Sequence, residues 1–245
     1  MTPRESWRLL TTWGGEPGWN MALDEALLQG DDARPVLRFY TWSPAALSLG
    51  YFQRWAELAP LAGANVLVRR FSGGGAIHHG DELTFAIAAA QRHALYRGEV
   101  RASYERVHAL LAQALAGFGV RAELRGAAPA RSDRPASGMC FHVSTPIDLV
   151  WGGRKGVGSA QRRAHGRVLH HGSIKLGASA LEAGVATLRE HAPALATAAL
   201  AEAIVHAFEA ELDCAFAREE PGAAELEHAR RRADFYRSDE FVRRR

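Results

Sequence analysis

The chain has 245 residues, 47% hydrophobic, 23% charged and 9% aromatic, which excludes a disordered or fibrous protein and leaves ample length to bury a core without metal or disulfide. Its formal charge of +3, from 30 basic and 27 acidic residues, is too mild to mark a nucleic-acid binder by itself and fits acidic partners. Two cysteines far apart in sequence, Cys140 and Cys214, an opening MTPRESWRLL without the apolar core of a signal peptide, and no apolar stretch near the ~20 residues of a membrane span point to the reducing cytoplasm.

Neither a repeat nor a long Pro/Gly/Ser linker divides the chain, so a single domain over 1–245 is expected, with a core at roughly 31–218 and a closing helix at 222–240. Asn20 to Gln29 sets Met21, Leu23, Leu27 and Leu28 among acidic residues and predicts a helix capped by Asn20. Val36 to Trp42, Ala46 to Gln53, Asn65 to Phe71 and Leu83 to Ala89 are short β-prone runs bounded by Pro, Gly and Asp, and predict strands. Ser103 to Phe118 carries apolar residues at helical spacing and ends among glycines. Val120 to Leu124 predicts another strand, after which Gly126 to Gly138 is a polar loop leading to Cys140-Phe141.

Ile147 to Trp151, Gly152-Gly153 and Arg154 to Arg163 have the form of a hairpin on a two-residue turn. In that register Val150 opposes Lys155 and Asp148 opposes Val157, so Asp148 and Lys155 share a face. Arg167 to Leu176 supplies the next strand, and Leu195 to Leu212 and Ala223 to Tyr236 read as helices. Cys214 continues the first of these as a packing residue. The sum is a mixed, largely antiparallel α/β (α+β) sheet with helices laid on it.

Lysine is the exception among the cations: 28 of the 30 basic residues are Arg, and only Lys155 and Lys175 are Lys. An amine can share its proton when desolvated, whereas a guanidinium effectively cannot, so Lys155 hints at amine chemistry against the plainer expectation of a solvated strand lysine. Cys140 is either a small buried residue or a nucleophile. Fifteen positions before Lys155, across a hairpin that folds back toward it, it could have its thiolate favoured by the ammonium. Arg69-Arg70-Phe71-Ser72-Gly73-Gly74-Gly75 ends a predicted strand with two cations and three glycines, a pattern for an anion or an acyl carbonyl as much as for a glycine turn. It is not a Walker or dinucleotide fingerprint. His78-His79 with Asp81 and Glu82 fits no metal spacing, so no metal is expected. Gly158-Ser159-Ala160 and His170-His171-Gly172-Ser173 put small residues and donors on adjacent strands. Arg230-Arg231-Arg232 and Arg243-Arg244-Arg245 read as a solvated face that could dock an acidic protein.

NMALDEALL at 20–28, ALSLGYFQ at 46–53, RRFSGGGAIHHGDELTFAIA at 69–88 and DLVWGGRKGVGSAQRRAHGRVLHHGSI at 148–174 together resemble the lipoate-protein ligase and octanoyltransferase family of the biotin/lipoyl ligase superfamily. The resemblance is closest to its cysteine-dependent branch, through Cys140-Phe141 ahead of Asp148-Leu149 and Arg154-Lys155. It implies an octanoyl-[acyl carrier protein]:protein N-octanoyltransferase of protein lipoylation, with Cys140 and Lys155 catalytic and Cys140 carrying octanoyl as a thioester. It assigns Arg70, Ser72, Gly73, Gly74, Gly75, His79, Asp148, Gly158, Ser159, Ala160 and His171 to the substrate. The implied donor is octanoyl-acyl carrier protein, and the implied acceptor a lysine of a lipoyl domain, on glycine-cleavage H protein or a 2-oxoacid dehydrogenase subunit. No cofactor is implied. ATP and Mg would belong to the alternative of an ATP-dependent lipoate ligase; an amidotransferase between lipoyl domains is a further alternative. The protein is expected to be monomeric, away from membrane and nucleic acid.

Overall fold

The computed structural model describes residues 4–245; the first three residues of the domain expected at 1–245, and with them the start of the opening read for a signal peptide, lie outside the described residues. An eight-stranded mixed sheet forms the centre: β1 (Glu5–Gly15), β2 (Val36–Trp42), β6 (Glu82–Ala90), β7 (Glu123–Leu124), β8 (Leu149–Trp151), β9 (Arg154–Ala164), β10 (Arg167–Lys175) and β11 (Cys214–Arg218), in the spatial order β11-β1-β2-β6-β10-β9-β8-β7. β1 runs parallel to both neighbours, and the other pairs are antiparallel. A second sheet of β3 (Ala46–Leu49), β4 (Val66–Arg69) and β5 (Ile77–His79), ordered β4-β3-β5, lies beside it.

Each face of the large sheet buries an apolar stripe. Helices α3 (Val100–Ala116) and α4 (Thr197–Leu212) cover one face through Val107, Leu111, Leu200 and Phe208 against Phe39, Phe85 and Val157. Helices α1 (Pro17–Gln29) and α5 (Ala223–Arg237) cover the other, where Met21, Leu23 and Tyr236 meet Tyr40, Ala86 and Leu169. The remaining helices are α2 (Trp55–Ala62) and the short α6 (Asp239–Val242). The core reaches further toward the N-terminus than 31–218, because Trp7, Leu9 and Leu10 of β1 are buried within the sheet. The helical stretch expected at 222–240 is α5 followed by α6, with Ser238 capping the second helix through its side chain.

Several expectations change. Helix α1 begins at Pro17 and is capped by Glu16, whose side chain accepts from Trp19 N; Asn20 is interior, donating to Gly15 O and Thr41 O. Proline at the first turn lacks only a hydrogen that has no helical partner there. Cys214 is in strand β11, paired with Glu5, because Asp213 adopts a left-handed φ of 47° and ends α4. The strands expected at Ala46 to Gln53 and Asn65 to Phe71 shorten to Ala46–Leu49 and Val66–Arg69, and Val120 to Leu124 to Glu123–Leu124. The hairpin turn is as predicted, with Gly152 and Gly153 at φ 56° and 70°, the pair of positive angles that a type I′ turn needs. Its register slips beyond Lys155: Val150 pairs with Lys155, but Leu149, not Asp148, pairs with Val157. Gly156 is the extra residue, and Trp151 lies flat on it, so a Cβ there would come within 1.9 Å of the indole.

Candidate active site

Cys140 opens a short 3-10 turn, Cys140–His142, at the end of the polar loop. Its N–H donates to Ala76 O at 2.7 Å, and Gly75 lies against its backbone: a Cβ on Gly75 would sit 2.7 Å from Cys140 N. The third glycine of the run is therefore there for close approach. Phe141 anchors the turn in a small apolar cluster with Ile77 and Val185.

Lys155 enters from the start of β9. Its Nζ donates to Cys140 O at 2.9 Å and Val143 O at 3.3 Å, reaches Cys140 Sγ at 3.6 Å, and pairs with Asp148 Oδ2 at 2.9 Å. Asp148 is itself fixed by Thr145 N and Thr145 Oγ1, at 2.6 and 3.0 Å. Burial opposes charge on Lys155, but Cys140 and Asp148 outweigh it and hold the amine above the ordinary lysine range. Gly158 clears its path, since a Cβ there would stand 2.8 Å from Lys155 Cε and 3.5 Å from Cys140 Sγ. The expectation of a solvated lysine fails for both lysines, each 2% exposed: Lys175 is buried between Glu82 at 2.7 Å and Glu182 at 2.6 Å.

Beside Cys140 lies an apolar, half-open cavity with about 400 Å³ of space free of protein atoms, open solvent at its mouth included. Of the residues singled out from sequence, Arg70, Gly73, Gly74, His79, Cys140, Gly158, Ser159, Ala160 and His171 line it. Gly75, Lys155 and Asp148 pack around Cys140, and Ser72 Oγ bonds His171 Nε2 at 2.5 Å. Two roles differ from expectation. The arginines spend their donors on the protein: Arg70 on Ser48 O, Ser48 Oγ, Gly73 O and Gly75 O, and Arg69 on backbone carbonyls including Gly50, Gln53 and Val242. These bonds tie the glycine loop in place, while Arg70 also stands on the cavity wall. The side chain of Ser159 points away from the cavity, to His108 Nε2 and His170 Nε2 at 2.8 and 2.9 Å, so only its backbone is offered to a ligand.

Gly172 and Ser173 of the tract noted in the sequence line it as well, whereas sequence reasoning missed Met21, Tyr40, Trp42, Ile77 and Thr84, which supply the rest of the lining. The alternation in β2 puts Tyr40 and Trp42 on one face and was their only local signal. Trp42 is held by an Nε1 hydrogen bond to Thr84 Oγ1 at 2.8 Å and by stacking on His79 at 3.8 Å.

Residues 16–180, which include every side chain of this site, match the lipoyl protein ligase A/B catalytic domain. The octanoyltransferase LipM of Moorella thermoacetica is 41% identical over 181 residues, 71% of this chain and 66% of that protein. The chain belongs to the lipoyl protein ligase A/B catalytic domain family. The match thus spans just under two thirds of that relative's length. In fold, this family member resembles a T. acidophilum protein described as a candidate lipoate protein ligase, with a TM-score of 0.81, 22% identity, and 98% of this chain and 100% of that chain covered. A lipoate-protein ligase A bound with ATP superposes with a TM-score of 0.77 at 20% identity, over 99% of each chain. The mixed, largely antiparallel sheet flanked by helices is the architecture these structures share.

Proposed function

We propose that this protein is an octanoyl-[acyl carrier protein]:protein N-octanoyltransferase acting through a thioester on Cys140. The observation that carries the reading is a sulfur 3.6 Å from a buried ammonium at the edge of an apolar cavity. A charged neighbour favours the thiolate, the form that attacks carbonyl carbon. In the first step Cys140 Sγ bonds to the octanoyl carbonyl, the carbon–sulfur bond to the carrier breaks, and the departing thiolate takes a proton from solvent. One thioester replaces another, so no ATP is required. In the second, the ε-amine of a lipoyl-domain lysine forms the amide, the bond to Cys140 breaks, and the sulfur returns as a thiolate beside Lys155.

Burying about seven CH₂ and CH₃ groups at ~0.8 kcal/mol each would hold the chain by several kcal/mol. The net positive charge suits acidic carrier and lipoyl domains. No helix among the described residues is long and apolar enough to cross a membrane, in keeping with encounters between soluble carriers. The test is intact mass after incubation with octanoyl-acyl carrier protein: an octanoyl adduct on the wild type and none on Cys140→Ala. An equal adduct on both, or octanoate-dependent exchange of pyrophosphate into ATP, overturns the reading.

A further inference from the structure

Two acid–histidine–serine chains border the cavity, and the steps above use neither. In the first, His79 Nδ1 donates to Glu82 at 2.5 Å and Nε2 meets Ser48 Oγ at 2.6 Å. Arg70 donates to the same Ser48 oxygen and Lys175 pairs with Glu82. Burial, with Lys175 and Arg70 close by, pushes His79 down to about 4 despite Glu82, so it does not hold a proton at neutral pH.

The second chain lacks those cations. Asp24 Oδ2 accepts from His171 Nδ1 at 3.0 Å and from Tyr40 OH at 2.9 Å, while Arg38 occupies Oδ1 at 2.6 Å. A carboxylate gives no hydrogen, so Nδ1 carries the ring proton and Nε2 is the acceptor, held by the Ser72 hydroxyl. The charge of Arg38 is matched by Asp24, and among the described residues no cation bonds to His171 or Ser72. His171 stands on the cavity wall, two residues along β10 from Ser173, whose partner on β9 is Gly158, the glycine beside Cys140 Sγ.

The geometry points to His171, aligned by Asp24, as the base that takes the proton from the incoming lysine nitrogen in the second step. This assignment rests on the acyl-transfer reading above. As the carbon–nitrogen bond forms at the octanoyl carbonyl, the nitrogen's proton passes to Nε2 in place of the Ser72 hydrogen. The carbon–sulfur bond breaks with its electron pair on Cys140, and Asp24 balances the imidazolium until the proton leaves to solvent. Lys155 is the wrong group for this task, being held charged by Asp148 and by the sulfur that returns.

The experiment loads octanoyl onto Cys140 and follows its departure to two nucleophiles. Transfer to a lipoyl-domain lysine needs a base; return to free pantetheine at pH 10, where much of the thiol is already thiolate, does not. In His171→Gln, transfer to lysine should fall about 100-fold or more and return to thiol only a few fold. Equal losses for both nucleophiles, or no loss for either, overturn the assignment. If His171→Gln does not load, His171→Asn takes its place, and failure of both to load makes His171 a part of the cavity's architecture and not its base. A wild type that never carries octanoyl on Cys140 defeats the proposed function itself, a separate outcome.

Discussion

The cavity has a measurable floor, and it predicts an acyl-length limit. Tyr40 of β2 pairs with Thr84 of β6, Thr84 with Ser173 of β10, and Ser173 with Gly158 of β9, so four lining residues form one row across the sheet. Cys140 stands at the Gly158 end. Two inter-strand steps, from Gly158 to Thr84, cover about 9.6 Å. Seven staggered carbon–carbon bonds of about 1.5 Å span about 9 Å, so an extended octanoyl chain held on Cys140 as proposed would end over Thr84. There the next strand raises Tyr40 and Trp42, and Trp42 is locked by Thr84 and His79. Trp42→Leu should open this end while keeping it apolar. Two further methylenes that find burial gain ~1.6 kcal/mol, a factor of about 15, where the wild type gives them no space. The ratio of decanoyl to octanoyl loading onto Cys140, measured by intact mass at early times from the two carrier thioesters, should therefore rise by at least about 15-fold. An unchanged ratio, with only the overall rate reduced, would refute a floor running from Gly158 to Thr84 with Trp42 as its end wall.

Lys155→Ala removes the ammonium from Sγ, so alkylation of Cys140 by iodoacetamide at pH 7 should slow about tenfold or more and recover in alkali. The same change strands Asp148, a buried charge whose ion pair is lost, and should cost about 3–5 kcal/mol in urea unfolding. Gly158→Ala should slow loading of octanoyl at least tenfold, since its Cβ would stand 2.8 Å from Lys155 Cε and displace the amine; circular dichroism should show the fold retained. His79, at about 4 in the folded protein against 6.5 unfolded, makes the unfolded chain bind more protons between those values, so stability falls as pH drops through that window. It should contribute a loss of about 2 kcal/mol between pH 7 and 5, and the urea midpoint of His79→Gln should depend less steeply on pH over this range.

Elements whose pattern closes on itself were legible in the sequence. Val36–Trp42 carries its β-propensity within seven residues, and Gly152-Gly153 dictates a turn wherever the strands pair. That turn made an approach of Lys155 to Cys140 possible, one of two readings left open for the cysteine, and the structure places the two groups 3.6 Å apart. Elements defined by distant partners were not. β1 reads ESWRLLTTWGG with arginine and threonines among its apolar residues and becomes a strand because β2 and β11 flank it; α2 contains Pro60, and β5 has only three residues. The position of Asp148 was missed by one residue because a bulge at Gly156 is set by the Trp151 ring, a contact without periodicity. The adjacent arginines looked like donors to a ligand because charge beside glycine attracts anions. The carbonyls of the loop and of residues 241–242 that they also bond are visible only once the chain has folded back.

The scarcity of lysine acquires a physical meaning around Phe141. Both ammonium groups stand over its ring, Lys155 at 5.4 Å and Lys175 at 4.6 Å from the centroid. They differ in how their charge is matched. Lys175 is bracketed by two buried carboxylates, Glu82 and Glu182, and donates its third hydrogen to His78 O. All of its donors are spent on holding β10, β5 and the turn bearing Glu182 together. Lys155 has one carboxylate, Asp148, and gives its remaining contacts to the two carbonyls and the sulfur of the Cys140 turn. An ammonium is a compact charge whose three donors can be divided in this way, whereas a planar guanidinium would impose a fork too wide for the slot that Gly158 leaves. One lysine is thus neutralised in place and fixes Phe141. The other keeps part of its charge directed at Sγ, and Phe141, the residue after Cys140, packs beneath both cations.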